Sequence, residues 1–136
     1  MSKGNTTEND VLELLFKATA LSWTANTDLY LALHTGDPGE AGSQTTSEAT
    51  YTSYDRVAVA RSGVGWTVAG NSATNAAIVQ FPQCSGGSNV LTHVSIGTAS
   101  SGAGQILYSG ALNSSLTVSN LIQPQFAASA LTITED

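Results

Sequence analysis

After Trp23 the chain changes period, and that change constrains the fold more than any other feature of the sequence. From there on it is written in short apolar stretches separated by turn residues. Asp28-Leu29-Tyr30-Leu31-Ala32-Leu33-His34 ends at Thr35-Gly36-Asp37-Pro38-Gly39, where residues that accept positive φ adjoin a ring that fixes φ. Further strands are predicted over residues 54–61, 66–69, 76–81, 90–97, 105–111, 116–119 and 126–134. Val57 and Val59, then Ile106 and Tyr108, alternate as half-buried strands require. The breaks are Gly63-Val64-Gly65, Gly70-Asn71, Ser85-Gly86-Gly87-Ser88-Asn89, Ser101-Gly102-Ala103-Gly104 and Asn113-Ser114. Short strands with Gly-rich turns predict an all-β chain folded as a β-sandwich of jelly-roll type, because two packed sheets bury a core that one cannot.

Ahead of the change, Val11, Leu12, Leu14, Leu15, Ala18 and Leu21 recur at helical spacing, with Thr7 placed to cap and Asp10 near the N-terminus. One N-terminal helix is predicted over residues 9–21, its apolar face packed across an open end of the β core. Residues 1–8 form a polar arm, and residues 9–136 a single domain. Residues 36–54 carry little apolar periodicity and are expected to be a long loop, mobile or committed to a partner.

A chain of 136 residues can bury roughly two thirds of its unfolded surface without disulfide or metal. The lone Cys84 excludes an internal disulfide, and no secretion signal or bilayer span is expected. Four basic residues, Lys3, Lys17, Arg56 and Arg61, face ten carboxylates, for a net charge of −6. Nucleic acid is disfavoured as a partner, since duplex binding draws its affinity from clustered Lys and Arg.

The chemistry that the sequence offers is thin. No serine lies in a G-x-S-x-G elbow, and only His34 and His93 can serve as a base, so a hydrolase would need a triad dispersed over distant strands. One Cys and two separated His do not make a zinc site. Asp37, Glu40 and Glu48 share the long loop but lack the alternating spacing of a calcium loop. Gly63-x-Gly65 and Gly102-x-Gly104 lack the third glycine and the helix of a phosphate cradle. Trp23, Trp66, Tyr51 and Tyr54 suit a sugar site or a sheet core equally. No catalytic residue, metal or cofactor is expected.

The order of elements resembles a family of small tailed-phage virion proteins labelled tail fibre or head decoration proteins. The likeness runs through residues 14–20, Leu29-Tyr30-Leu31-Ala32-Leu33-His34-Thr35-Gly36-Asp37-Pro38, Tyr54-Asp55-Arg56-Val57-Ala58-Val59, residues 75–82 and 107–112, and Ala128-Ser129-Ala130-Leu131-Thr132-Ile133. It implies a virion component with no catalytic residues to carry over. Compactness and acidity, without fibre heptads or repeats, point to a capsid decoration or cement protein on the outer capsid surface. It would bind the major capsid protein and copies of itself, for instance as a trimer. The competing expectations are a tail fibre or tail-tip module binding a host glycan, and the dispersed-triad hydrolase. Tyr51 and Tyr54 are the expected interface anchors, with Asp37, Glu40 and Glu48 at the rim.

Overall fold

A computed structural model describes all residues, 1–136. The elements are β1 (Ser2–Lys3), α1 (Asn5–Lys17), β2 (Asp28–His34), β3 (Val57–Ala60), β4 (Trp66–Ala69), β5 (Ser72–Asn75), β6 (Val79–Gln80), β7 (Asn89–Gly97), β8 (Ile106–Val118), β9 (Gln125–Phe126) and β10 (Thr132–Thr134). All pairings are antiparallel. A five-stranded sheet runs β1-β8-β7-β2-β3, a three-stranded sheet β10-β5-β4, and β6 pairs with β9. The predicted all-β sandwich with one helix is what forms. Its strands are divided five, three and two, whereas a jelly roll spreads eight over two sheets.

One core joins the layers. Leu31 and Leu33 of β2, Leu91, Val94 and Ile96 of β7, and Val118 of β8 meet Val79, Phe81, Leu131 and Ile133 from the other side. Phe81 lies at its centre, with ring centroids 6.4 Å from Tyr54 and 6.3 Å from Phe126. The other face of β2 is buried as well: Ala32 and His34 have no exposed surface. The loop of residues 36–54 meets that face at Thr46, whose carbonyl bonds His34 Nδ1, and then sends Ala49, Tyr51 and Tyr54 into the core.

The predicted strands 54–61 and 76–81 shorten to Val57–Ala60 and Val79–Gln80, and three further departures are larger. Asn113-Ser114 is no turn but the middle of the 13-residue β8. The polar segment Ser72–Asn75, adjoining the expected turn at Gly70-Asn71, is the central strand of its sheet. The stretch 126–134 is split between β9 and β10, where Asn75 Oδ1 accepts from Leu131 N–H and its amide donates to the Ala127 carbonyl.

The helix also shifts. It begins at Asn5, with Gly4 as N-cap and no side-chain cap. Its first amide donates to the Glu40 carbonyl, and Gly4 N–H to the Leu107 carbonyl, so neighbouring segments do the work of a capping side chain. Thr7 lies inside the helix and donates its hydroxyl to the Ile106 carbonyl instead of capping. The helix stops at Lys17 because Ala18 turns left-handed, φ 53°, and returns its N–H to Glu13. The expected arm is consequently an edge strand, β1 on β8, followed by the first helical turn. No helix is long and apolar enough to cross a membrane.

Candidate docking surface

The orientation of α1 corrects the sequence expectation most sharply. At 3.6 residues per turn, Thr7, Asp10, Val11 and Leu14 share one face, while Leu12 and Phe16 fall on the opposite one and Leu15 on the flank between them. The domain holds the helix by its polar residues: Gln105 Nε2 donates to the Thr7 hydroxyl at 2.9 Å and to the Asp10 carboxylate at 2.8 Å. Leu12, Leu15 and Phe16 are 56%, 69% and 80% exposed. The helix therefore does not lay its apolar side across the core; it turns polar residues inward and apolar ones to solvent. These three side chains present on the order of 400 Å² of apolar surface, the scale at which a patch marks an interaction site. The sequence carried a signal, since Val11, Leu12, Leu14, Leu15 and Phe16 are too many for one face.

Beside the helix the sandwich is open. A groove of about 790 Å³ runs between the five-stranded and three-stranded sheets, walled by Leu29, Ile96 and Leu107 on one side and Trp66, Val68 and Ile133 on the other. Val11 is the one helix residue that lines it. The buried Trp66 Nε1 has no hydrogen-bond partner. Arg61 and Glu135 stand at its rim. Arg61 lies 4.9 Å from the Trp23 ring centroid and donates to the Thr24 carbonyl. Glu135 pairs with Lys3 and accepts from Tyr108, contacts that hold its carboxyl below the usual range, while burial first and then the bond to Glu135 push the Tyr108 phenol up.

The expected interface residues lie elsewhere, and the loop carrying them is built into the subunit. Arg56, 9% exposed, grips Glu48 with two hydrogen bonds, Nε to Oε1 at 2.6 Å and Nη2 to Oε2 at 2.9 Å. It also donates to the carbonyls of Ala99 and Gly102. Gln44 is fully buried, donating to the Tyr30 carbonyl and accepting from Ala99 N–H. Its slot exists because residues 97 and 104 are glycines: a Cβ on either would sit 2.1 Å from the Gln44 amide group. Neither Gln44 nor Arg56 was singled out from sequence as a structural anchor, Arg56 standing between Asp55 and the apolar run that begins at Val57.

Tyr51 is 3% exposed, donates to the Pro82 carbonyl and packs edge-on against Tyr54. Tyr54 donates to Glu48 and accepts from Leu33 N–H. Burial pushes Tyr51 up to about 12 and Tyr54 higher still. These rings belong to the interior, so neither is free to serve as the expected surface anchor. Asp37 and Glu40 remain exposed, around a cleft shared with His93 and Ser109, while Glu48 turns inward.

His34 and Ser95 approach as a base and a hydroxyl would in a dispersed triad. Nδ1 must donate to the Thr46 carbonyl at 2.8 Å, so the neutral ring accepts the Ser95 hydroxyl at Nε2, 2.7 Å away. Both residues have no exposed surface, and the group orienting the ring is a peptide carbonyl, not a carboxylate. The pair fastens the loop to β2 and β7, and no substrate reaches it. Burial lowers the His34 pKa, outweighing the Thr46 hydrogen bond and nearby Glu48.

The domain is an antiparallel β fold whose one buried histidine–serine pair is sealed from solvent and whose helix leaves Leu12, Leu15 and Phe16 uncovered. Over residues 2–134 the chain matches the family described as Podophage GP4 fiber I protein gp80, and it belongs to that family. It is thus a virion-associated structural protein of fibre type. No curated protein matches the chain.

Proposed function

We propose that the chain is a non-catalytic subunit of a phage tail fibre, attached through the apolar surface around α1. The observation that carries this reading is the reversed helix. A soluble domain gains nothing from holding Leu12, Leu15 and Phe16 in water while using Thr7 and Asp10 to face its own sheet, unless another surface covers them. The sealed Ser95–His34 pair favours a structural role over hydrolysis, and a net charge of −6 speaks against nucleic acid as a partner.

A cement protein on the outer capsid surface would share the compactness and acidity of this chain. The family description names a fibre, which favours the fibre over the shell. Labelling the protein on intact particles and imaging them by electron microscopy tests the choice. Label confined to fibres is the expected result; label spread over the capsid faces would replace the fibre reading with the cement reading.

A further inference from the structure

The outward end of α1 and the groove beside it are two uncovered apolar surfaces of one chain, and they cannot cover each other within a single copy. The groove receives only Val11, because Leu12, Leu15 and Phe16 point away from it. We propose that the occupant of both is a second copy of this chain: the C-terminal half of α1 from each copy lies in the groove of the other, forming a two-fold dimer.

Three features support that pairing. Helix and groove adjoin, with Val11 common to both, so a single two-fold axis brings both contacts into one self-complementary interface. The two helix ends, counted with the groove walls that receive them, then bury on the order of 1,500 Å² in total, within the range of specific interfaces. Finally, although the chain is acidic, the helix end carries no uncompensated charge, since Glu13 is paired with Lys17 at 2.9 Å. Two copies meet there without the repulsion that other faces would bring.

The dimer does not depend on which part of the particle carries the protein. Sedimentation equilibrium of the purified full-length chain through the micromolar range tests it, with Phe16→Glu on the helix and Val68→Glu on the groove wall. Both positions are highly exposed, 80% and 74%, so both variants should keep the native circular dichroism spectrum. The expected result is a wild-type dimer and at least about a tenfold weaker association in each variant. A mixture of the two variants should form a heterodimer through the one intact helix-in-groove contact. A monomeric wild type would overturn the proposal and leave the surface to a different virion protein. So would a stoichiometry other than two, or a dimer insensitive to Val68→Glu, which would put the helix somewhere other than the groove.

Discussion

The loop of residues 36–54 and the helix Asn5–Lys17 exchange the roles that their compositions suggest. The loop is polar, rich in Gly, Ser and Thr, and looks like a segment waiting for a partner. The helix is apolar and looks like core. In the folded chain the loop is built into the domain, Gln44 and Glu48 by hydrogen bonds and Tyr51 by joining the core, and the helix displays Leu12, Leu15 and Phe16 to solvent. Apolarity alone does not decide what is inside. A polar segment is buried when each of its groups finds a partner, and an apolar one stays outside when its attachment is made by polar contacts on the opposite face.

The comparison breaks most visibly at Arg56. Replacing it with alanine leaves the Glu48 carboxylate with the Tyr54 hydroxyl alone and the Ala99 and Gly102 carbonyls without their donor, and removing one member of a buried pair typically costs about 3–5 kcal/mol. Urea unfolding of Arg56→Ala should show a loss of that order. A loss under about 1 kcal/mol would mean that the loop is held only loosely.

A smaller effect follows from His34, and its sign is fixed by the lowered pKa. Above the ordinary value of about 6.5 the ring is neutral in both folded and unfolded chains, and the stability is fully present. As pH falls below that value the unfolded chain takes up a proton that the buried ring resists, so stability is lost progressively toward the folded pKa. Melting temperatures should therefore decline from neutral to mildly acidic pH, and His34→Gln should flatten the decline. An unchanged slope in that variant would show that the loop's attachment does not depend on a neutral His34.

Much of the sheet was legible because strand signals are local. Asp28–His34 and Trp66–Ala69 form as the apolar runs and flanking turns predict, and β7 differs from expectation by a single residue. What could not be read depends on partners distant in sequence. Ser72–Asn75 has no apolar alternation of its own and is a strand because β4 and β10 flank it. The helix starts early because the carbonyl of Glu40 receives its first amide, and Thr7 finds Ile106 across 99 residues. The loop's burial rests on Arg56 meeting Glu48, and on glycines at 97 and 104 leaving room for Gln44. The docking surface was missed for a related reason: periodicity shows that a helix has an apolar side, but only the contacts of Thr7 and Asp10 show which way that side turns.

Two aromatic truncations, one in each region, test this exchange of roles most directly. Tyr51→Ala and Phe16→Ala each remove a ring, and their unfolding free energies can be compared by denaturant titration at concentrations where the chain is monomeric. Tyr51→Ala should cost about 3–5 kcal/mol, as loss of a packed core aromatic does, whereas Phe16→Ala should stay within about 0.5 kcal/mol, as an exposed position does. Equal losses, or a larger loss at Phe16, would contradict the account and return the helix to the core and the loop to the surface.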